Sequence, residues 1–133
     1  MLVAGIMKTD VVTISPLATV REALMQMKEY GVKSLVVEKR HTGDAYGLIS
    51  YRDIAKAVIA DDGDIDLLNV YDIAQKPALQ VSQYLEIRYL ARLMIQYSAK
   101  RVLVIDNNEL QGFVSITDVV SSLIDRALRE QDH

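Results

Sequence analysis

Two four-residue stretches hold the residue types from which a site could be built: Ser50-Tyr51-Arg52-Asp53 and Ser115-Ile116-Thr117-Asp118. Each follows a glycine, Gly47 or Gly112, so that Gly-x-x-Ser-x-x-Asp occurs twice. Ser-x-x-Asp ahead of an apolar segment is first of all a helix start, in which serine caps a backbone N–H and the acid reaches back to the cap. The same corner is a rim where outward-pointing N–H groups suit a phosphate or another anion. An ionised aspartate only accepts hydrogen bonds, so it can receive the hydroxyls of a ribose diol. One serine can serve both ends. Recurrence at the same place in both halves favours the ligand reading, and the glycine is expected to contribute conformational freedom.

A second constellation is basic. Lys33 in the first half, and Lys100 with Arg101 in the second, stand just before an apolar strand-like run. As strand-edge charges they would deter aggregation. As ligand contacts they would meet phosphate, with Arg101 able to form a bidentate pair. The acidic run Asp61-Asp62-Gly63-Asp64-Ile65-Asp66 lacks the sixth-position glycine and bidentate Glu of a calcium loop, so it is expected to be solvated. His41 and His133 are far apart, no His/Asp/Glu set has metal-ligand spacing, and no nucleophile–base pair is evident. We therefore expect no metal site, no catalytic residue and no required cofactor. Met25, Met27 and Met94 read as helix packing.

The elements that must position these residues emerge from an internal repeat. With Ile6 placed over Ile73, Ser15 meets Ser82, Arg21 meets Arg88, Met27 meets Met94, Tyr30 meets Tyr97, Lys33 meets Lys100 and Val37 meets Val104. A shorter loop in the second half then brings Gly47, Ser50 and Asp53 over Gly112, Ser115 and Asp118. Each half opens with a β-like segment, Val11 to Ser15 or Ala78 to Ser82. A helix follows, with the stripe Val20, Ala23, Leu24, Met27 or Ile87, Leu90, Ala91, Met94. Thr19-Val20-Arg21-Glu22 can close a capping box where the second helix has Glu86, and Gly31 suits the first helix's C-terminal cap. Two hairpin strands come next, Ser34–Glu38 with Tyr46–Ile49 and Val102–Ile105 with Gly112–Val114. Arg40-His41-Thr42-Gly43-Asp44 and Asp106-Asn107-Asn108-Glu109 form the turns. Final helices are expected over Tyr51–Ala60 and Ile116–Arg129. The expected organisation is one repeat over 1–60, an acidic linker over 61–71, and a second repeat with a C-terminal helix over 72–133. Each half has a small apolar stock, so the two should pack together to be stable.

The whole chain excludes several classes. Its net charge of −3 argues against general nucleic-acid binding, which needs a basic face. The apolar runs are strand-sized, far below the ~20 residues of a membrane span. Met1 to Lys8 has no basic segment ahead of a long apolar core, so no secretory leader is expected. With no cysteine, disulfides and thiolate sites are impossible, and a cytoplasmic location is expected.

Together these features resemble a tandem pair of cystathionine-β-synthase (CBS) domains, a Bateman module. The likeness rests on Val12-Thr13-Ile14-Ser15-Pro16 with Thr19, Val20 and Ala23, on Gly31 to Val37, and on Gly47-Leu48-Ile49-Ser50 with Asp53. The second half supplies Ser98 to Asp106 and Gly112-Phe113-Val114-Ser115 with Asp118. The resemblance implies an α/β (α+β) fold of two β-α-β-β-α repeats about a pseudo-twofold axis, assembled as a homodimer. It implies AMP, ADP, ATP or S-adenosylmethionine bound in clefts between the repeats. Asp53 with Ser50, and Asp118 with Ser115, would meet the ribose and phosphate. The base would lie against Val12 at the Asp118 site and Leu79 at the Asp53 site, covered by Phe113 and Leu48.

The halves depart from the family pattern unequally. Val36 and Leu103 stand where the central strand often has proline, Arg101 is matched by Ser34, Gln80 by Thr13, and Gln83 by Pro16. The two sites are therefore expected to differ, the Asp118 site favouring a phosphorylated adenosine because Lys100 and Arg101 lie beside it and Lys33 could reach it. The expected function is regulatory ligand sensing, with a protein partner in trans. The alternative is a ligand-free interaction or dimerisation module, its interface formed by Val119, Val120, Leu123, Ile124 and Leu128; an enzyme is the least favoured reading.

Overall fold

The computed structural model describes residues 1–131, with side chains described to Arg129. His133 and the last residues of the 72–133 segment lie outside the described residues. The chain is α+β and divides into two compact units, one of Val11–Ala78 and the other of Met1–Asp10 with Leu79 onward.

In the Val11–Ala78 unit, β1 (Thr13–Ile14) runs parallel to β2 (Ser34–Val37), which pairs antiparallel with β3 (Gly47–Ser50). Between β1 and β2 lies α1 (Val20–Tyr30), whose stripe buries Val20, Ala23 and Met27 against Leu35, Val37 and Ile49. Both of its expected ends form. The Thr19 hydroxyl accepts from Glu22 N–H at 3.1 Å while Glu22 accepts from Thr19 N–H at 3.3 Å, and Gly31 closes the helix in the left-handed region at φ 64°. The helix expected over Tyr51–Ala60 is α-helical only through α2 (Tyr51–Ile54) and widens into a π-helix over Ala55–Ala60. Its wide end is set by Asp61 N–H donating to the Lys56 carbonyl.

The aspartates of the acidic stretch are exposed, as expected of a solvated loop, but its backbone is docked. Leu68 and Ile65 carbonyls accept from the N–H groups of Val20 and Arg21, at 2.9 and 3.0 Å. Asp66 takes the Arg21 guanidinium in a two-pronged pair. Val70, at the start of α3 (Val70–Ile73), is fully buried in the core. The chain thus returns across the N-terminus of α1 with its carboxylates in solvent.

The other unit repeats the plan. Strand β4 (Gln80–Val81) runs parallel to β5 (Arg101–Asp106), and β5 pairs antiparallel with β6 (Glu109–Ser115). The strands run further than expected: Asp106 and Glu109 pair in the ladder, leaving a two-residue turn of Asn107 and Asn108 at φ 53° and 59°. Two successive positive φ values in a two-residue loop match the twist of the flanking strands. Helix α4 (Ile87–Gln96) buries Leu90 and Met94, and α5 (Ile116–Gln131) follows β6 directly. Glu86 makes no side-chain cap; Ile87 N–H is satisfied by the Met1 carbonyl at 3.0 Å. Among the described residues no buried side chain is polar or charged.

Each unit therefore contains a leading segment that the repeat pattern assigns to the other half. Val3 is fully buried with Leu90, Met94, Val102, Val104 and Val114, and Lys8 exchanges two backbone hydrogen bonds with Phe113 at 2.9 and 3.0 Å. In the other unit Gln75 exchanges the same pair with Leu48, both at 2.9 Å. These bridges cover the outer edges of β6 and β3, which would otherwise present unpaired backbone groups. They also explain the two glycines differently from the sequence expectation. Neither Gly47 nor Gly112 has a positive φ. A Cβ on Gly112 would stand 2.4 Å from the Lys8 carbonyl oxygen, and one on Gly47 would stand 2.9 Å from that of Gln75. What they provide is close approach of a crossing backbone.

A stability comparison checks this. Gly112→Ala forces the crossing segment away and is expected to cost about 1–3 kcal/mol. Gly43→Ala, whose Cβ would meet only His41 at 3.8 Å, should stay within about 0.5 kcal/mol of the parent. Equal urea midpoints for the two variants would refute the close-approach account.

Candidate functional site

The two Ser-x-x-Asp motifs sit where a strand hands over to a helix, β3 to α2 and β6 to α5. In both, the acid turns back on its own cap. Asp118 Oδ2 accepts from the Ser115 N–H at 2.9 Å and hydroxyl at 2.8 Å, while Ser115 Oγ accepts from Asp118 N–H at 3.1 Å. The Ser50–Asp53 set matches at 2.8, 2.9 and 3.4 Å. The capping reading is thus realised twice, and it consumes one carboxylate oxygen at each rim.

The other oxygen meets the crossing segment. Asp118 Oδ1 lies 3.4 Å from Lys8 Nζ, and Asp53 Oδ1 accepts from Gln75 Nε2 at 3.4 Å. Lys8 and Gln75 are equivalent in the repeat, each two residues beyond the paired Ile6 and Ile73. Sequence reasoning missed both, although that alignment contained the signal: a lysine matched by a glutamine on segments leading into the sites.

The electrostatics of Asp118 follow from these partners. Burial raises its pKa, but hydrogen bonds from the Ser115 amide and hydroxyl and the charge of Lys8 outweigh that and hold it below the ordinary aspartate value. The carboxyl side chain is only 14% exposed, so these donors act with limited screening.

The backbone amides are less free than the rim reading supposed. Ile116 N–H donates to the Lys100 carbonyl at 3.0 Å and Tyr51 N–H to that of Lys33 at 3.1 Å. With Asp118 and Asp53 amides engaged by serine oxygens, the first turns have little left for an anion. Anion recognition would fall to side chains. Arg101 pairs with Ser115 in register, and Ser34 pairs with Ser50, so the two side chains of each pair share a sheet face. One rim therefore has a guanidinium where the other has a hydroxyl. Lys33 and Lys100 are exposed and Arg101 is half-buried. Among the described residues none of the three enters an ion pair.

The structure brings Ser115, Asp118, Arg101, Phe113 and the Lys100 backbone together in one unit. It brings Ser50, Asp53, Leu48 and the Lys33 backbone together in the other. Leu79 packs on the core of the first of these units and its carbonyl accepts from Leu103 N–H at 3.0 Å. Val12 does the same in the second, accepting from Val36 N–H at 3.0 Å. Val12 and Asp118, like Leu79 and Asp53, belong to different units. Among the described residues no group of three His, Cys, Asp or Glu could hold a metal ion, and no helix is long and apolar enough to cross a membrane.

Comparison with known proteins agrees with this architecture. The family model for the CBS domain matches residues 3–60 and again 70–125. An uncharacterized protein of Methanopyrus kandleri is 28% identical over 119 residues, covering 89% of this chain and 60% of its own length. A hexameric CBS-CP12 protein from bloom-forming cyanobacteria is 38% identical with a TM-score of 0.86, over 90% of this chain and 66% of that one. A Burkholderia ambifaria protein with CBS domains, assigned to signal transduction, is 26% identical with a TM-score of 0.84, over 94% and 95% of the two chains. The chain thus spans about two thirds or less of the Methanopyrus and cyanobacterial relatives.

The depressed Asp118 pKa has a signed consequence. Its stabilisation is present above the unfolded value near 3.8 and is lost as pH falls through the lower folded value. Carboxyl-carbon NMR titration should place the Asp118 midpoint below 3.8, and Ser115→Ala should move it upward. The same variant should lose about 1 kcal/mol at pH 6 and less at pH 2. An unmoved midpoint would show that the cap does not set the charge.

Proposed function

This chain belongs to the CBS-domain family, and on that premise we propose that it is a regulatory module binding an adenosine-type ligand, AMP, ADP, ATP or S-adenosylmethionine, at its Ser/Asp rims. The observation that carries the reading is the division of labour within each carboxylate. One oxygen of Asp53 and of Asp118 completes the helix cap, and the other, Oδ1, is held only by a single side-chain donor at 3.4 Å. An acceptor fixed by its own cap and lightly held on its outer side is suited to a ribose hydroxyl. Half-buried Leu48 and Phe113 stand beside these corners as apolar surface for a base.

The regulatory part of the reading is supported by the family match and by the description of the Burkholderia relative as a signal-transduction protein. A ligand can act as a signal only through its differential affinity for two arrangements of the protein. The output would pass to a partner in trans or through self-association, in a cytoplasmic setting, and no catalytic turnover is part of the proposal. Hexameric assembly of the CBS-CP12 relative supports association between copies.

A second reading has its own observation. Val120, Leu123, Ile124 and Leu128 of α5 are each about half exposed, so the helix offers an apolar face suited to a ligand-free dimerisation module.

Calorimetry with AMP, ATP and S-adenosylmethionine separates the readings. Asp118→Asn and Asp53→Asn keep an oxygen for the cap but replace the outer acceptor with a donor. Each is expected to weaken binding at its own rim roughly ten- to a hundred-fold, the scale of a hydrogen bond to a charged group. Absence of binding by the parent, with self-association retained, would overturn ligand sensing in favour of the dimerisation module.

A further inference from the structure

Resting on the adenosine reading of the Asp118 rim, we propose that Lys8 is its charge-selecting residue, competing with ribose for the outer carboxylate oxygen and exchanging that partner for the ligand's phosphate. The geometry leaves little choice about which atom is contested. Asp118 Oδ2 already accepts the Ser115 amide and hydroxyl, so a ribose diol can address only Oδ1. The Lys8 ammonium lies 3.4 Å from that oxygen on a side chain 57% exposed to solvent. Such a pair is weak enough to be broken and strong enough to be felt.

The backbone of Lys8 cannot follow its side chain. Its N–H and carbonyl are both bound to Phe113 over Gly112. An ammonium displaced by a ribose hydroxyl therefore swings on a fixed stem and stays at the rim. For an uncharged nucleoside this is a loss, because the ammonium gives up its carboxylate and gains nothing. For a nucleotide the phosphate takes the carboxylate's place, with Arg101 beside Ser115 as a second cation.

The Asp53 rim has the same construction without the charge. Gln75 occupies the position of Lys8, its amide 3.4 Å from Asp53 Oδ1, and Ser34 occupies that of Arg101. A neutral amide can donate to one group and accept from another, so a ribose hydroxyl displaces it with no charge left unpaired. The two rims of one chain should thus differ in the charge of the ligand they accept.

The test is a pair of calorimetric titrations, adenosine and AMP, in an Asp53→Asn background that isolates the Asp118 rim. Lys8→Gln, which copies the other rim, is compared with Lys8→Arg, which keeps the charge. Lys8→Gln should lower the AMP-over-adenosine preference at least roughly tenfold, by weakening AMP and tightening adenosine, while Lys8→Arg should retain it. The salt dependence of AMP binding should fall in Lys8→Gln alone. If AMP binds and Lys8→Gln leaves the ratio unchanged, or weakens both ligands equally, the selecting role is overturned and the adenosine reading stands. If neither ligand binds the Asp53→Asn protein with Lys8 intact, both fall.

Discussion

The close passage of one backbone over a glycine organises this molecule. The Lys8 carbonyl crosses Gly112, and the Gln75 carbonyl crosses Gly47, closer than any side chain would permit. Each crossing makes two backbone hydrogen bonds and terminates a sheet at its outer edge. Burial follows from it: Val3 reaches the core formed by Leu90, Met94 and Val104, and Val70 reaches the core formed by Met27, Leu35 and Ile49. The crossing also places one polar side chain, Lys8 or Gln75, against each capping aspartate. Edge protection, core completion and site chemistry all depend on a glycine three residues before the serine.

The caps show how a stability device and a binding device can share atoms. A capping aspartate on a free helix end would keep most of its acceptor capacity exposed. Here one oxygen is saturated by two donors from a single serine, which fixes the carboxylate plane and leaves the second oxygen in a defined place. Fixing the acceptor before a ligand arrives lowers the ordering cost of binding. The same bonds keep Asp118 ionised to lower pH than an ordinary aspartate, despite its burial. The amides at these corners are largely used internally, so any discrimination of charge passes to Lys8, Lys100 and Arg101 rather than to the helix terminus.

Periodicity made much of this legible in the sequence. The stripes of α1 and α4, the Thr19 capping box, the Gly31 cap and both hairpins follow from local rules, and they form as those rules require. So did the pairing of Ser50 with Asp53 and Ser115 with Asp118. What local rules could not supply was the allegiance of the leading segments. Nothing in the spacing of Val3, Ile6 and Lys8 distinguishes packing on the nearest repeat from packing on the distant one. The charge of the acidic run signals solvent for its carboxylates, which are exposed, but not the docking of its backbone: Val20 and Arg21 need acceptors at the helix start and find them in Leu68 and Ile65. Gly47 and Gly112 signal conformational freedom in the sequence and serve close approach in the structure, because a close contact is invisible until its partner is known.

The repeat alignment acquires a different use once the crossings are known. The two halves share one site plan, so each position at which they differ within a site changes one candidate contact against an internal reference. Most matched differences lie away from the rims. Among those on the rims are Lys8 against Gln75, both touching the outer carboxylate oxygen, and Arg101 against Ser34, both across from the capping serine. These two add cations to the Asp118 rim, whereas Arg52 against Thr117 adds one within the Asp53 motif. With a net charge of −3 over the whole chain, the field at the Asp118 corner comes from local groups and not from a general basic surface. The two units repeat one backbone plan and differ in charge, and it is the second property that would let one chain distinguish two ligands.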